Sequence, residues 1–216
     1  MMPIGPILLV ILTILAASGF LAGSLRRLGL SERAGLLLLG SMLVGSLVEV
    51  PLRPGLSMNL GTGLLPLALA LWLLLRSRAW WEPVTGVAAA LLGTGAAILL
   101  SRWLPAGEPT ELNLFYLDAQ YFYALVAGTA GYLVGQSRRA AGAGAVLAVV
   151  GGDLMHYLHY VESGRVADLT IRLGGGGFHG TPIVAAVLAL TLTEWLLPET
   201  AQAERGEAGL DHLPQP

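Results

Sequence analysis

The sequence predicts an all-α fold, a polytopic bundle of about seven transmembrane helices in one domain, residues 1–197, followed by a polar disordered tail, residues 198–216. Hydrophobic residues make up 55% of the 216 residues and charged residues only 12%, about half of the usual share of roughly 25%. The mean hydropathy is +0.70. A helix needs about 20 apolar residues to cross the ~30 Å hydrocarbon layer. Four charge-free runs have that length, namely Pro3–Leu25, Pro54–Leu75, Pro83–Ser101 and Leu173–Thr193.

Three further segments reach spanning length if each is allowed one acidic residue, and these residues are Glu49, Asp118 and Asp153. The predicted spans are therefore about 3–25, 34–51, 58–75, 84–104, 114–136, 140–161 and 181–197. Between the last two spans, the partial alternation of Val166–Leu173 indicates a short strand.

The arginines predict the orientation, since the chain has twelve of them and no lysine. One side of a seven-span bundle holds Arg26, Arg27, Arg33, Arg76, Arg78, Arg138, Arg139 and Arg205, and the other holds Arg53, Arg102, Arg165 and Arg172. The positive-inside rule makes the first side cytoplasmic, with the N-terminus outside and the C-terminus inside. We expect a protein of a prokaryotic inner membrane, in contact with the lipid bilayer. The composition excludes a soluble enzyme and a nucleic-acid binder, and a chain without cysteine forms no disulfide.

Two groups of three spans share sequence features, which predicts a 3+1+3 arrangement of parallel repeats around span four. Spans one and five both end in Leu-x-Gly-x-x-Arg-Arg, at Leu21–Arg27 and Leu133–Arg139. The next span of each group carries an acid after small residues, Glu49 or Asp153. The third members begin with Gly and Pro and run to Trp72 or Trp195. Parallel repeats occur in transporters, which bind their substrate between the halves.

Acidic residues inside apolar spans are costly and therefore point to a functional site. At 1.5 Å per residue, Asp118 lies roughly 6 Å and Asp153 roughly 10 Å below the outer ends of their spans. The short connection through Arg138 and Arg139 makes spans five and six antiparallel neighbours. We therefore expect the two carboxyls to meet in the outer leaflet and to share one proton. Glu194, beside Trp195 at the inner interface, is expected to reach the headgroups.

The leading functional hypothesis is an intramembrane di-aspartate hydrolase acting on a membrane peptide, with Asp118 and Asp153 as catalytic residues and no cofactor. One carboxylate would activate water while its protonated partner polarises the amide. Three short elements follow one another in the chain, namely Tyr116-Leu117-Asp118, Val150-Gly151-Gly152-Asp153 and Thr181-Pro182-Ile183. Their order resembles that of the presenilin-like intramembrane aspartyl proteases, and each departs from the family motif by at least one residue.

The alternative hypothesis is a proton- or divalent-metal-linked transporter of a small solute or ion. His156 follows Asp153 by three residues and shares its helix face. With His179 from the glycine-rich run, and with Asp118 or Glu49, these side chains form an oxygen and nitrogen ligand set suited to zinc or manganese. A third interpretation is a non-catalytic structural protein of the membrane, in which these polar side chains satisfy one another.

Five short segments carry a further resemblance, namely Met2–Gly5, Leu30–Arg33, Asn59–Gly63, Gly135–Arg139 and the glycine run before Phe178. Through them the whole chain, about residues 2–197, resembles a prokaryotic membrane family known as "domain of unknown function 1614". The family pattern usually has an acid after Phe178, where this chain has His179. The resemblance implies membrane location and architecture, since the family has no settled activity.

Overall fold

The computed structural model describes residues 4–77, 79–103, 119–164, 170–174 and 180–196, and these are mostly helical. The described helices are α1 (Ile4–Ala17), α2 (Ala22–Arg27), α3 (Glu32–Gly45), α4 (Leu65–Leu75), α5 (Trp81–Trp103), α6 (Ala119–Gly135), α7 (Arg138–Glu162) and α8 (Thr181–Leu196). Between α3 and α4 lie strands β1 (Glu49–Arg53) and β2 (Leu56–Asn59) and a π-helical turn (Leu60–Leu64), and β3 (Ile171–Leu173) precedes α8. The predicted all-α class is confirmed in the main, with a small sheet added.

The interior between α6, α7 and α8 is built from small side chains. The buried cluster there is almost entirely alanine, namely Ala124, Ala127, Ala141, Ala145, Ala148, Val149, Ala185 and Ala189. A Cβ added at Gly131 would lie 2.5 Å from the carbonyl oxygen of Ala141, so the helix backbones touch at this point. Close contact through Gly and Ala is the usual way in which membrane helices pack, because lipid gives them no hydrophobic drive to associate.

The outer surface, in contrast, carries large apolar side chains. Leu47 is 87% exposed, Leu75 85% and Trp195 83%, and many other Leu and Val side chains on the helices are exposed as well. Monomeric soluble proteins rarely expose apolar surface of this extent, and such surface marks contact with a partner or a membrane.

Two of the described helices are long and apolar enough to cross a bilayer, Trp81–Leu100 with 20 residues and Arg138–Glu162 with 25. Four shorter apolar helices accompany them, at Ile4–Ala17, Leu60–Leu75, Tyr121–Gly135 and Thr181–Leu196. The shorter helices fall below the usual spanning length of about 17–25 residues.

The bundle has two distinct ends. At one end, which we call the sheet end, the three strands form a sheet of order β1-β2-β3. At the other, the arginine end, Arg27 and Arg138 both bind Glu194, and Arg139 donates a hydrogen bond to the carbonyl oxygen of Arg76. Helices α3, α4, α7 and α8 each run from one end to the other.

Two predicted spans are wrong in detail. The predicted span 3–25 is not one helix, because α1 ends at Ala17 and the chain turns through Gly19, whose φ of +79° favours glycine, before α2 begins. The predicted span 34–51 is also too long. Helix α3 ends at Gly45, and the continuation forms β1, with Glu49 in a strand and Pro51 at its outer edge. The short strand predicted within Val166–Leu173 is found as β3.

Candidate functional site

Asp153 connects α7 to the sheet end of the molecule. Its Oδ2 accepts a hydrogen bond of 2.8 Å from the backbone N–H of Gly174, the residue that follows β3. The side chain is half-buried, and it lies within the third quarter of α7, well away from either helix end. A carboxylate in such surroundings needs a donor, and the described structure provides it from the backbone.

Gly174 in turn contacts the turn that begins α4. Its φ is +84°, and a Cβ at this position would lie 2.6 Å from the Cα of Gly63 and 3.1 Å from the carbonyl oxygen of Thr62. Only glycine allows both this conformation and this close approach. Gly174 therefore links the carboxylate of Asp153 to the π-helical turn.

The sheet joins two distant segments of the chain. Strand β2 pairs antiparallel with β1 and parallel with β3, with Leu56 opposite Ile171 and Met58 opposite Leu173. All four residues of β2 are buried. Gly180, directly before α8, lies beside Thr62 in the turn before α4, with 3.7 Å between a Cβ placed on Gly180 and the Thr62 methyl, so the starts of these two helices are side by side.

Glu49 holds the edge of this sheet. Its Oε1 accepts a hydrogen bond of 2.6 Å from the Ser57 hydroxyl and forms an ion pair of 3.1 Å with Arg172 on β3. Glu49 was predicted at the end of a membrane span with a share in a metal site. Instead it lies on β1 at the molecular surface and binds one residue on each of the other two strands.

Asn59 organises the change from strand to helix between β2 and α4. Its Oδ1 accepts hydrogen bonds from the backbone N–H groups of Gly61 and Thr62, at 3.0 and 2.9 Å, and from the Thr62 hydroxyl at 3.0 Å. Its Nδ2 donates to the carbonyl oxygen of Ser46 at 2.8 Å. Asn59 and Thr62 are almost completely buried, so the amide replaces the water that a helix start would otherwise bind.

The aromatic side chains near Asp153 belong to two different contacts. The ring of His156 lies 5.9 Å from that of Tyr123 on α6, centroid to centroid. Tyr157 packs against Leu56, Met58 and Leu173 on the sheet. The structure therefore brings Asp153, His156 and Tyr157 to the same side of α7, as their spacing predicts, with the sheet on one flank and α6 on the other.

The predicted partner of Asp153 in the hydrolase, Asp118, lies outside the described residues. The predicted meeting of the two carboxyls therefore stays a prediction.

The predicted metal set cannot be assembled from the described part of the chain. His179 lies outside it, and among the described residues no three His, Asp, Glu or Cys side chains are grouped so that they could hold an ion. The structure describes three of the predicted ligands: Asp153 and His156, three residues apart on α7, and Glu49 on β1.

Glu194 has a different role from the one predicted. Instead of extending alone to the interface, it binds two arginines, with Oε1 accepting from Arg27 and Oε2 accepting from Arg138 at 2.6 Å. These arginines come from the two copies of the Leu-x-Gly-x-x-Arg-Arg motif, so the third member of the second group connects both copies.

Sequence reasoning missed the roles of Asn59, Thr62 and Arg172. The segment Asn59–Gly63 did carry a signal, since an Asn side chain commonly accepts hydrogen bonds from the backbone N–H groups two and three residues further on. Nothing local pairs Arg172 with Glu49, which precedes it by more than a hundred residues. Comparison of the chain with protein-family models, curated proteins and solved structures gave no match. Both family resemblances therefore stay predictions, and the function has to rest on the geometry.

Proposed function

We propose that the protein is a multi-pass membrane transporter with two parallel halves, which moves a small cation in exchange with a proton at Asp153. The first half is α1, α3 and α4, the second is α6, α7 and α8, and α5 links them. The sheet end faces the outside and the arginine end faces the cytoplasm. Of the two activities predicted from the sequence, transport is the one that the parallel pairing of the two halves supports.

The membrane location is supported by the distribution of side chains. Alanine and glycine fill the interior between α6, α7 and α8, while many large leucine and valine side chains are exposed on the outside of the helices. The cations support the orientation, because Arg27, Arg76, Arg138 and Arg139 gather at one end of the bundle. Strand β2 is buried in protein, and β1, which is exposed along its whole length, lies at the end that the proposal places outside.

The parallel pairing of β2 with β3 is the observation that carries the proposal. The two strands precede α4 and α8, the third members of the two predicted repeats. Corresponding elements of a parallel repeat point the same way, so they can pair in parallel, whereas elements of an inverted repeat would oppose each other. Each half also contributes an acid to the junction, since Glu49 accepts from Ser57 and Asp153 accepts from Gly174.

The junction between the halves has the features of a transport site. Interrupted elements at the interface of two repeats commonly bind the substrate and the coupling ion. Here the interruption consists of β2 and the π-helical turn, and π-helical turns are frequent at functional sites. A proton or a cation on Asp153 competes with the N–H of Gly174 for the carboxylate. Loss of that bond frees β3 and the start of α8 to move against α4.

Cation flux into proteoliposomes tests the proposal. Protein in vesicles with an internal indicator is given external Mn²⁺ or Zn²⁺ together with a pH gradient. We expect wild-type influx that depends on the gradient, and its loss in Asp153→Asn. The matched control is Glu162→Gln, which removes an exposed acid from the end of the same helix and should leave the influx unchanged.

Three outcomes would contradict the proposal. They are the absence of flux with both metals, flux that does not respond to the pH gradient, and equal flux in Asp153→Asn. Cleavage of a membrane peptide by the wild type, lost in both Asp118→Asn and Asp153→Asn, would instead favour the hydrolase hypothesis.

A further inference from the structure

A large apolar cavity lies among the helices of both proposed halves. Helices α1 to α4 contribute one part of its lining, and α7 and α8 contribute the rest. Its volume is about 420 Å³, within the range of about 300–1,000 Å³ typical of small-molecule sites. Leucine is the commonest residue in the lining. Because protein interiors rarely leave gaps much larger than a water molecule, a cavity of this size has room for a ligand.

The cavity runs along the helices rather than across them. On α8 its lining residues recur every three or four positions, from Ile183 through Val187 and Leu190 to Glu194, and therefore form one continuous face. The lining of α4 has the same spacing from Pro66 to Leu73. At 1.5 Å per residue, the face of α8 is roughly 16 Å long. One acyl chain in a leaflet occupies about 15 Å, half of the ~30 Å hydrocarbon layer, so the cavity has the length of one such chain.

The volume of the cavity agrees with its length. A cavity of about 150 Å³ holds one benzene molecule. The cavity described here is nearly three times as large, and by that comparison it has room for roughly 17 carbon atoms. The long acyl chains of membrane phospholipids are of this size.

The two ends of the cavity differ in exposure and polarity. Met42 and Ile183 at the inner end are 4% and 5% exposed, whereas Phe20 and Trp195 at the opening are 77% and 83% exposed. The opening also holds the hydroxyl and charged groups of the lining, which belong to Ser24, Arg138, Thr191 and Glu194. A molecule with a hydrocarbon body and a polar group at one end matches this distribution.

We propose that the cavity binds one acyl chain of a membrane phospholipid, with the headgroup outside the opening. The chain packs against α3 and α4 as well as α7 and α8, and its dispersion contacts hold these helices together. The fit of the chain to the walls decides binding, so lipids with different headgroups and the same chain bind alike. Binding presupposes the membrane location proposed above but does not depend on cation transport.

The C-terminal segment of the protein itself is a less suitable occupant, although α8 ends beside the opening. The sequence after Leu196 contains the charged residues Glu199, Glu204, Arg205, Glu207 and Asp211. Placing these charges against apolar walls would be unfavourable. A lipid chain carries no charge into the cavity, and the surrounding bilayer supplies it.

Protection of single cysteines in the purified full-length protein tests the proposal. Ala186→Cys places a thiol in the cavity wall with little change of size, and Val84→Cys places one on an exposed position of α5 outside the cavity. Dipalmitoyl phosphatidylcholine is added to the protein in detergent, and the rate of labelling by a small maleimide is measured. When about nine-tenths of the sites are filled, labelling of Ala186→Cys should slow about tenfold, and that of Val84→Cys should not change.

Two further lipids separate the chain from the headgroup. Dioctanoyl phosphatidylcholine has the same headgroup and shorter chains, and at equal concentration it should protect Ala186→Cys much less. Dipalmitoyl phosphatidylglycerol has the same chains and an anionic headgroup, and it should protect equally well. Native mass spectrometry should find one phospholipid retained by wild type and by Val84→Phe, and none by Ala186→Phe, whose ring occupies the cavity.

Four results would overturn the proposal. They are unchanged labelling of Ala186→Cys, equal slowing of both cysteine variants, equal protection by the short and the long chains, and a preference for the anionic headgroup. The conservative Ala186→Cys keeps the test valid if Ala186→Phe does not fold. Absence of cation flux in proteoliposomes would contradict the proposed function and would leave the protection by lipid unchanged.

Discussion

Asp153 of α7 and Gly174 after β3 are joined by a hydrogen bond of 2.8 Å from the glycine backbone to the carboxylate. Gly174 packs directly on Gly63 in the π-helical turn. One short path of contacts therefore connects a half-buried carboxylate with the starts of two helices, α4 and α8. We infer that a proton or a cation bound to Asp153 changes the position of the starts of both helices.

The hydrogen bond between Asp153 and Gly174 predicts how substitutions of Asp153 affect the stability of the protein. Asp153→Asn keeps an oxygen that can accept from Gly174, so its free energy of unfolding should differ from wild type by less than about 1 kcal/mol. Asp153→Leu leaves the N–H without an acceptor and should cost about 1–3 kcal/mol. Thermal unfolding in detergent provides the comparison, and equal melting temperatures for Asn and Leu would show that the bond is not maintained.

The buried amide of Asn59 predicts a graded loss of stability. Asn59→Leu removes one donor and the acceptor of three hydrogen bonds and leaves buried backbone groups without partners, so we expect a loss of at least about 3 kcal/mol. Thr62→Val keeps the shape of the side chain and removes only its hydroxyl donor, at about 1 kcal/mol. Unfolding in denaturant would measure both, and a larger effect in Thr62→Val than in Asn59→Leu would contradict the role given to Asn59.

The close contact between α3 and the π-helical turn predicts that glycine at position 61 is essential. A Cβ there would overlap the carbonyl oxygen of Met42 and the backbone nitrogen of Ser46. Gly61→Ala should therefore prevent normal folding. Gly95→Ala is the control, since a Cβ on that helical glycine meets nothing within 4 Å. It should stabilise the protein by up to about 1 kcal/mol through helix propensity.

Size-exclusion profiles and melting curves separate the two glycine variants. A monodisperse Gly61→Ala protein with wild-type stability would mean that α3 and the turn are further apart than the structure places them.

Because Glu194 binds two arginines, we predict that its substitution lowers the stability of the protein more than substitution of a neighbouring acid. Arg138 is 16% exposed and Glu194 34%, whereas the nearby pair of Arg26 and Glu32 is 72% and 49% exposed. Glu194→Gln leaves two guanidinium groups without their carboxylate and should cost about 1–2 kcal/mol in lipid-free detergent. Glu32→Gln should cost less than about 0.5 kcal/mol. Melting curves at low and high salt provide the test, and an equal loss in both variants would contradict it.

The sequence predicted the helices that correspond to continuous apolar runs. Helices α5, α7 and α8 begin and end within about three residues of the predicted spans 84–104, 140–161 and 181–197. The break after α1 was missed because the hydropathy of a segment does not show where a glycine adopts a positive φ. The hairpin of β1 and β2 was missed because Val-Pro-Leu and Leu-Ser-Met are apolar enough to be taken as span ends.

The candidate site was predictable only in part. Asp153 could be identified because an acid inside an apolar helix is conspicuous. Its bond with Gly174, the pairing of β2 with β3 and the contact of Arg27 with Glu194 join residues far apart in the chain. No spacing rule covers such contacts, since they depend on how the helices pack.

The measurement that tests the central claim most directly is the labelling of single cysteines in intact cells with a membrane-impermeant maleimide. The chain has no cysteine of its own, so each introduced residue reports alone. Two parallel halves place Pro54, after α3, and Ser163, after α7, on the same side. We predict that Pro54→Cys and Ser163→Cys label from outside, while Ala34→Cys and Ala79→Cys label only after the cells are permeabilised. Labelling of Pro54→Cys and Ser163→Cys from opposite sides would contradict the parallel arrangement, and with it the proposed transport site.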